Sequence, residues 1–215
     1  MLVRNLLINW VRIKDLKIKV CGMKHQQNVD EIDALGLDFI GNIFFAKSPR
    51  NLNSILHTST TKVGVFVKES LLIIKERITE HNLKVIQLHG GESNEFCKSV
   101  KNLGVQVWKV FSVGDDFENS KLKEFPDADM FLLDTKSKEY GGAGRKFDWT
   151  LLKEIDKKTP KKYFLAGGIH PNDAKEIKAL QLKNIIGLDL NSQFESSPGF
   201  KNVEELNNFL VELRS

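Results

Sequence analysis

Apolar and polar positions along this chain fall into a repeating pattern that predicts eight short strands separated by helices. The apolar runs end at Val20-Cys21-Gly22, Phe44-Phe45, Phe66-Val67, Leu88-His89-Gly90, Val110-Phe111, Leu133-Asp134, Ala166-Gly167-Gly168 and Leu190-Asn191. Runs this short, stopped by glycine or a polar residue, suit strands buried on both faces. Between them, Asn28 to Leu35, Glu69 to His81, Glu92 to Leu103 and Asp173 to Leu180 carry helix-like patterning. Strands alternating with helices argue a parallel sheet of the α/β class, and eight such units in 215 residues fit a single closed (β/α)8 TIM barrel. The first strand-to-helix turn carries neither the G-x-G-x-x-G fingerprint nor a P-loop lysine motif, which weakens an open doubly wound sheet. Only Asn53 to Thr61 separate the second loop from the third strand, room for about two helical turns at most, so the second helix is short or missing.

Residues 1–16 fall outside this repeat. They hold Leu6, Leu7, Ile8, Trp10 and Val11 among Arg4, Arg12, Lys14 and Asp15, without the long uncharged core and small-residue cleavage site of a secretion signal. A short N-terminal extension is expected there, packed outside or below a catalytic barrel domain at 17–215. Formal charge is +4, but the basic residues are scattered and few aromatics interleave with them, which argues against a nucleic-acid partner. Two cysteines are too few for a disulfide framework and suit a reducing compartment. No apolar run approaches the roughly 18 residues that would span a membrane. A cytoplasmic protein is expected, a monomer with a homodimer as the alternative.

In a barrel of this kind the loops after the strands share one face, so residues at strand ends are the candidates for chemistry. Asp134 ends the sixth strand and opens a polar loop with Gly141, Gly142 and Gly144, after which Asp148 can cap a new helix. Cys21 ends the first strand before a glycine; alone it would be a small buried hydrophobe. Arg50, behind Pro49 in the second loop, is either a solvated cation or a planar fork for a carboxylate. His89 either meets a ligand or holds its loop. Cys97 reads as a packed helix thiol, and Lys109 on the fifth strand is a candidate inward-facing cation. Loops after the seventh and eighth strands often bind phosphate, which draws in Gly167-Gly168 and Asn191-Ser192, with Asp189 just before them on the eighth strand; by itself the glycine pair reads equally as a tight strand-to-helix turn.

Taken in order, Lys19-Val20-Cys21-Gly22, Phe45-Ala46-Lys47-Ser48-Pro49-Arg50, Val63-Gly64-Val65-Phe66-Val67, Gln87-Leu88-His89-Gly90, Leu133-Asp134-Thr135, Gly141-Gly142-Ala143-Gly144, Phe147-Asp148-Trp149, Ala166-Gly167-Gly168-Ile169 and Pro198-Gly199 closely resemble the phosphoribosylanthranilate isomerase family of tryptophan biosynthesis. The resemblance covers nearly the whole chain after Leu16. It implies a cofactor-free, metal-free Amadori rearrangement of a small phosphorylated substrate, N-(5-phosphoribosyl)anthranilate, to 1-(2-carboxyphenylamino)-1-deoxyribulose 5-phosphate. It further implies Cys21 as general base, Asp134 as general acid, Arg50 on the anthranilate carboxylate, and backbone N–H groups around Gly168 and Asn191-Ser192 on the phosphate; His89, Gly142 and Asp189 complete the expected substrate contacts. Lys24, Lys47, Arg50, Lys68, Lys136, Lys138 and Arg145 lie in or beside loops of the same face. Their positive field is expected to attract an anionic substrate and to lower the Cys21 thiol pKa.

The chain departs from the family pattern in three places. Asn191-Ser192-Gln193 stands where a Ser-Ser-Gly run is usual, the second helix is shortened, and the extension at 1–16 precedes the usual start. Two other readings compete: another phosphate-binding barrel isomerase or epimerase, and a barrel that binds anions without catalysis. A metal-dependent epimerase wants His and Asp ligands at several strand ends, and a histidine-pathway isomerase wants paired aspartates in two half-barrels. Cys21 with Asp134 fits neither.

Overall fold

The computed structural model describes residues 15–136 and 146–215. Expectations for the N-terminal arm, for the loop glycines including Gly142, and for Lys138 and Arg145 lie outside the described residues.

Eight parallel strands close into a barrel in chain order: β1 (Lys17–Cys21), β2 (Phe39–Ile43), β3 (Thr61–Phe66), β4 (Val85–Leu88), β5 (Gln106–Val113), β6 (Met130–Thr135), β7 (Tyr163–Leu165) and β8 (Ile185–Leu190), with β8 pairing back onto β1. Helices α1 (Gln26–Asp33), α2 (Leu71–His81), α3 (Asn94–Lys101), α4 (Leu152–Lys158), α5 (Ala174–Ala179) and α6 (Val203–Arg214) surround it. Polar side chains start several of them: Ser70, Ser93 and Asn202 each accept a hydrogen bond from a first-turn N–H, as N-caps do. Asp148 caps a 3-10 turn, Trp149–Leu151, which runs into α4. No helix is described between β2 and β3, so the short spacing there was a true signal; a 3-10 turn, Asn119–Glu124, takes the helix position after β5.

Two apolar clusters hold the fold. The larger fills the layer between strands and helices; the smaller lies inside the barrel and includes Val63, Val85, Trp108, Val110, Leu132 and Phe164. Trp108 stacks on Phe164 with centroids 4.8 Å apart, and Phe39 packs edge-on against both. Because successive strand residues face opposite sides, Trp108 and Val110 inside the barrel send Lys109 outward. The inward placement considered for Lys109 is therefore wrong: it is buried in the outer layer, 3.1 Å from the Glu92 carboxylate. Glu92 also accepts from the Lys68 and Gly90 backbone N–H groups, tying the loops after β3 and β4 together.

After β8, a short antiparallel pair, β9 (Glu195–Ser197) and β10 (Phe200–Lys201), turns through Pro198-Gly199 before α6. Lys201 is anchored by Asn28 of α1, which both accepts from its backbone N–H and donates to its carbonyl. No helix among the described residues is long and apolar enough to cross a membrane.

Candidate active site

The aromatic floor of the barrel leaves room above it for polar groups. A cavity at the C-terminal ends of the strands is lined by Cys21, Gln87, His89, Asp134, Gly167, Gly168, Asp189, Asn191 and Ser192, with Ile43, Phe45, Val65, Val67 and Ile169 as apolar wall. All the expected site residues among the described ones line it except Arg50.

Cys21 projects inward at the end of β1 and is almost sealed from solvent. Its sulfur lies on the backbone of Gly41 in β2, where a Cβ would stand 2.6 Å from Sγ, so a glycine there is what gives the thiol its place. Two residues earlier on the same face, the Lys19 ammonium is fully buried and donates to both Asp189 oxygens at 2.8 Å. Burial pulls Lys19 down, but Asp189 and the Cys21 sulfur outweigh it and its pKa is raised. The thiol of Cys21 is pushed up by burial, against the pull of Lys19. The expected lowering is thus reversed: losing water costs the thiolate more than nearby cations return.

Asp134 closes the other side of the cavity. Its Oδ1 accepts from the Thr135 N–H at 2.7 Å, and its Oδ2 lies 3.2 Å from His89 Nε2. His89 thus meets the acid, while Glu92 rather than His89 holds the β4 loop. Thr135 Oγ1 donates to the Gly167 carbonyl and accepts from the Phe147 N–H, which locks the end of β6 to β7. Gly167 sits at φ +82, and a Cβ on it would stand 2.3 Å from Thr135 N and 2.5 Å from Asp134 Oδ1. Only glycine combines that backbone with that approach. Gly168 follows at φ +68, and Asn191 leads into a 3-10 turn, Ser192–Phe194, on the neighbouring rim.

Arg50 lies just behind the lining, its stem 2.7 Å from where a Gly22 Cβ would be. Its guanidinium is engaged edge-on by Glu195, with Nε 3.0 and 2.9 Å from the two oxygens and Nη2 2.6 Å from Oε2. Lys201 donates to the same carboxylate and, at 2.8 Å, to Asn191 Oδ1. Burial pushes Glu195 up, but Arg50 and Lys201 outweigh it and hold its carboxyl below the usual range. Burial also pulls Lys201 down, to about 8, in spite of Glu195. The buried group carries one net positive charge.

Lys19, Gly41, Gln87, Glu195 and Lys201 were not singled out in the sequence. For Lys19 a signal existed, since period-two spacing puts it on the same strand face as Cys21. Glu195 and Lys201 meet Arg50 only through the hairpin, and nothing local announces that. Gln87 is buried in the lining, and its Oε1 has no hydrogen-bond partner among the described residues. Among those residues no group of three or more His, Cys, Asp or Glu is placed to hold a metal ion. Cys97 is packed inside α3, where burial pushes its thiol up to about 11.

Comparison with known proteins agrees with this geometry. A family model described as PRAI, N-(5'-phosphoribosyl)anthranilate (PRA) isomerase, matches residues 18–212. The chain is 36% identical over 206 residues to the N-(5'-phosphoribosyl)anthranilate isomerase of Parabacteroides distasonis, covering 91% of this chain and 92% of that one. It is 38% identical over 208 residues to the Campylobacter jejuni enzyme of that name, covering 93% and 99%. The crystal structure of phosphoribosyl anthranilate isomerase from Thermotoga maritima superposes with a TM-score of 0.81 at 27% identity, over 93% of this chain and 98% of that one. With its barrel, its strand-end motifs and a family match over nearly its whole length, this chain belongs to the N-(5'-phosphoribosyl)anthranilate isomerase family.

Proposed function

We propose that the cavity isomerises N-(5-phosphoribosyl)anthranilate to 1-(2-carboxyphenylamino)-1-deoxyribulose 5-phosphate, with Asp134 as general acid and Cys21 as general base. Asp134 gives its proton to the furanose ring oxygen; the C1–O bond breaks and the anilino nitrogen lone pair forms a C1=N bond. The Cys21 thiolate then takes the proton from C2, whose electrons form C1=C2 and return the lone pair to nitrogen. The enolamine then tautomerises to the ketone, C1 taking a proton from water as the C2 hydroxyl gives one up to water. One proton delivered to the ring oxygen and one removed from C2 are what ring opening and enolamine formation ask of the protein.

The observation that carries this reading is that Cys21 of β1 and Asp134 of β6 line one cavity, with β7 and β8 between them. The left-handed glycines after β7 and the turn after β8 offer backbone N–H groups for the phosphate, as barrel enzymes commonly do. Gln87 offers an acceptor that a substrate hydroxyl or N–H would satisfy. Arg50 with Lys201 supplies the positive charge that suits the anthranilate carboxylate. We extend the same reading to the division of the chain, an extension at 1–16 and a catalytic barrel at 17–215.

The test is turnover. Purified protein mixed with freshly generated phosphoribosylanthranilate should abolish its fluorescence at an enzymatic rate. Fluorescence decaying only at the protein-free rate would overturn the assignment.

A further inference from the structure

Burial opposes the charge that a general base at Cys21 must carry, so the surroundings must supply a counter-charge. The charged groups that act on the sulfur are few: Lys19 on its own strand, Asp189 from β8 and Lys201 from β10, with Asp134 and His89 acting on Asp189 from farther round the barrel. Lys201 is already engaged by Glu195 and Asn191. Lys19 is different. Its ammonium has no exposure to water, is held by both oxygens of one carboxylate, and belongs to the residue two positions before Cys21 on the same strand face. A lysine on the inner face of a barrel strand buries a charge that is costly unless paired. Pairing with Asp189 explains how that charge is tolerated. It does not explain why the pair stands beside the thiol, above an aromatic floor that an apolar residue would continue.

We propose that Lys19 is a positioning residue for the reaction, the counterion that stabilises the Cys21 thiolate, and that Asp189 holds Lys19 in place while limiting how much of its charge the sulfur receives. The inference rests on the general-base reading of Cys21. In this proposal the carboxylate and the sulfur share the one ammonium between them. When the thiol loses its proton to solvent, a cation is already at hand on the same face of the strand and no charge is left unpaired in a dry site. When the sulfur takes a proton from substrate carbon, the ammonium remains paired with Asp189. A point-charge ammonium suits this better than a planar fork, because it can satisfy the two partners from one nitrogen.

The arrangement makes two predictions of opposite sign, which a merely structural role does not. Lys19→Met removes the positive charge and should lower the thiolate population at a given pH. Asp189→Asn removes the competing negative charge and should raise it. The measurement is the pH dependence of thiolate absorbance near 240 nm and of iodoacetamide alkylation, in a Cys97→Ala background so that only Cys21 reports. Lys19→Met should slow alkylation by about tenfold at a pH below the transition, the population change that one pK unit represents. Lys19→Arg should restore most of it, and Asp189→Asn should speed it. If Lys19→Met fails to fold because Asp189 is stranded, Lys19→Met with Asp189→Asn leaves no buried charge unpaired; it must alkylate more slowly than Asp189→Asn alone. The acid limb of kcat/KM should move with the thiolate titration in each variant. Both variants shifting the titration in one direction, or neither shifting it, overturns the proposal. Titrations that move as described in a protein without turnover overturn the isomerase reading instead and leave the counterion in place.

Discussion

The two sides of the cavity solve opposite problems. On the β1–β8 side Cys21 is 4% exposed, and its charged neighbours are buried too, Lys19 and Lys201 almost completely. On the β6–β4 side the Asp134 side chain keeps 18% of its surface and His89 21%; the Thr135 N–H holds one carboxyl oxygen and the His89 ring lies 3.2 Å from the other. A group that must become an anion in a dry pocket needs a built-in counterion. A group that donates a proton to an incoming sugar needs orientation and a route to water for the next proton. The comparison teaches that the Asp134 carboxyl is placed largely by backbone geometry, whereas the Cys21 thiol sits among buried charges.

Removing the reacting atoms should have the largest effect. Cys21→Ala and Asp134→Asn should each lower kcat by roughly 10²- to 10⁴-fold, the usual value of a positioned acid or base. Circular dichroism and binding of a product analogue should stay close to wild type. Near-normal turnover by either variant would break the assignment of one side while leaving the other standing.

Arg50→Met should come next, as a rise in KM of about 10- to 100-fold, equivalent to the roughly 1.5–3 kcal/mol of a hydrogen bond to a charged group. A contact made equally in the ground and transition states leaves kcat nearly alone. Unchanged steady-state kinetics would remove Arg50 from substrate binding.

Gly167→Ala separates the two sides. A side chain at φ +82 pressed onto Thr135 and Asp134 should cost about 1–3 kcal/mol of strain, read by urea unfolding. kcat should fall because the acid is displaced. The Cys21 thiolate titration should move far less than kcat, since the atoms a Cβ there would meet first belong to Thr135 and Asp134. A titration shifted as strongly as kcat would mean that the two sides are mechanically one.

A smaller, pH-dependent effect is expected at Arg50. Lys201 loses its proton near pH 8, and the group it shares with Glu195 and Arg50 then falls from one net positive charge to none. KM should therefore rise several-fold above about pH 8, a loss of the order expected for one partly screened charge. Stability should not fall with it. Because the folded pKa of Lys201 lies below the ordinary lysine value, the unfolded chain binds more protons between about pH 8 and 10.5, and the contribution of Lys201 to stability rises with pH across that window. Denaturation midpoints measured beside KM across that range separate lost binding from lost fold. Lys201→Met should flatten the rise in KM.

Several features were legible in the residues alone because local rules decide them. Strands of a buried parallel sheet are largely apolar, so all eight could be located from where the apolar runs stop, to within about two residues: β5 runs on to Val113, past Phe111, and β2 stops at Ile43, before Phe44. Residues at those ends share a face once the sheet closes, which brings Cys21, His89, Asp134, Gly168, Asp189, Asn191 and Ser192 to one cavity whatever the helices do. The short Asn53 to Thr61 stretch left room for about two helical turns at most, and no helix formed there. Lys109 could not be placed because β5 is apolar on both sides, and an alternating pattern with both phases filled does not say which faces inward. What the sequence could not decide is where charge meets charge. The sign of the Cys21 shift depends on how completely the closed barrel excludes water, and the grip of Glu195 on Arg50 joins residues 145 positions apart through a hairpin that only the folded chain brings into place. Desolvation and long-range ion pairing are properties of the assembled interior, and no stretch of sequence carries them by itself.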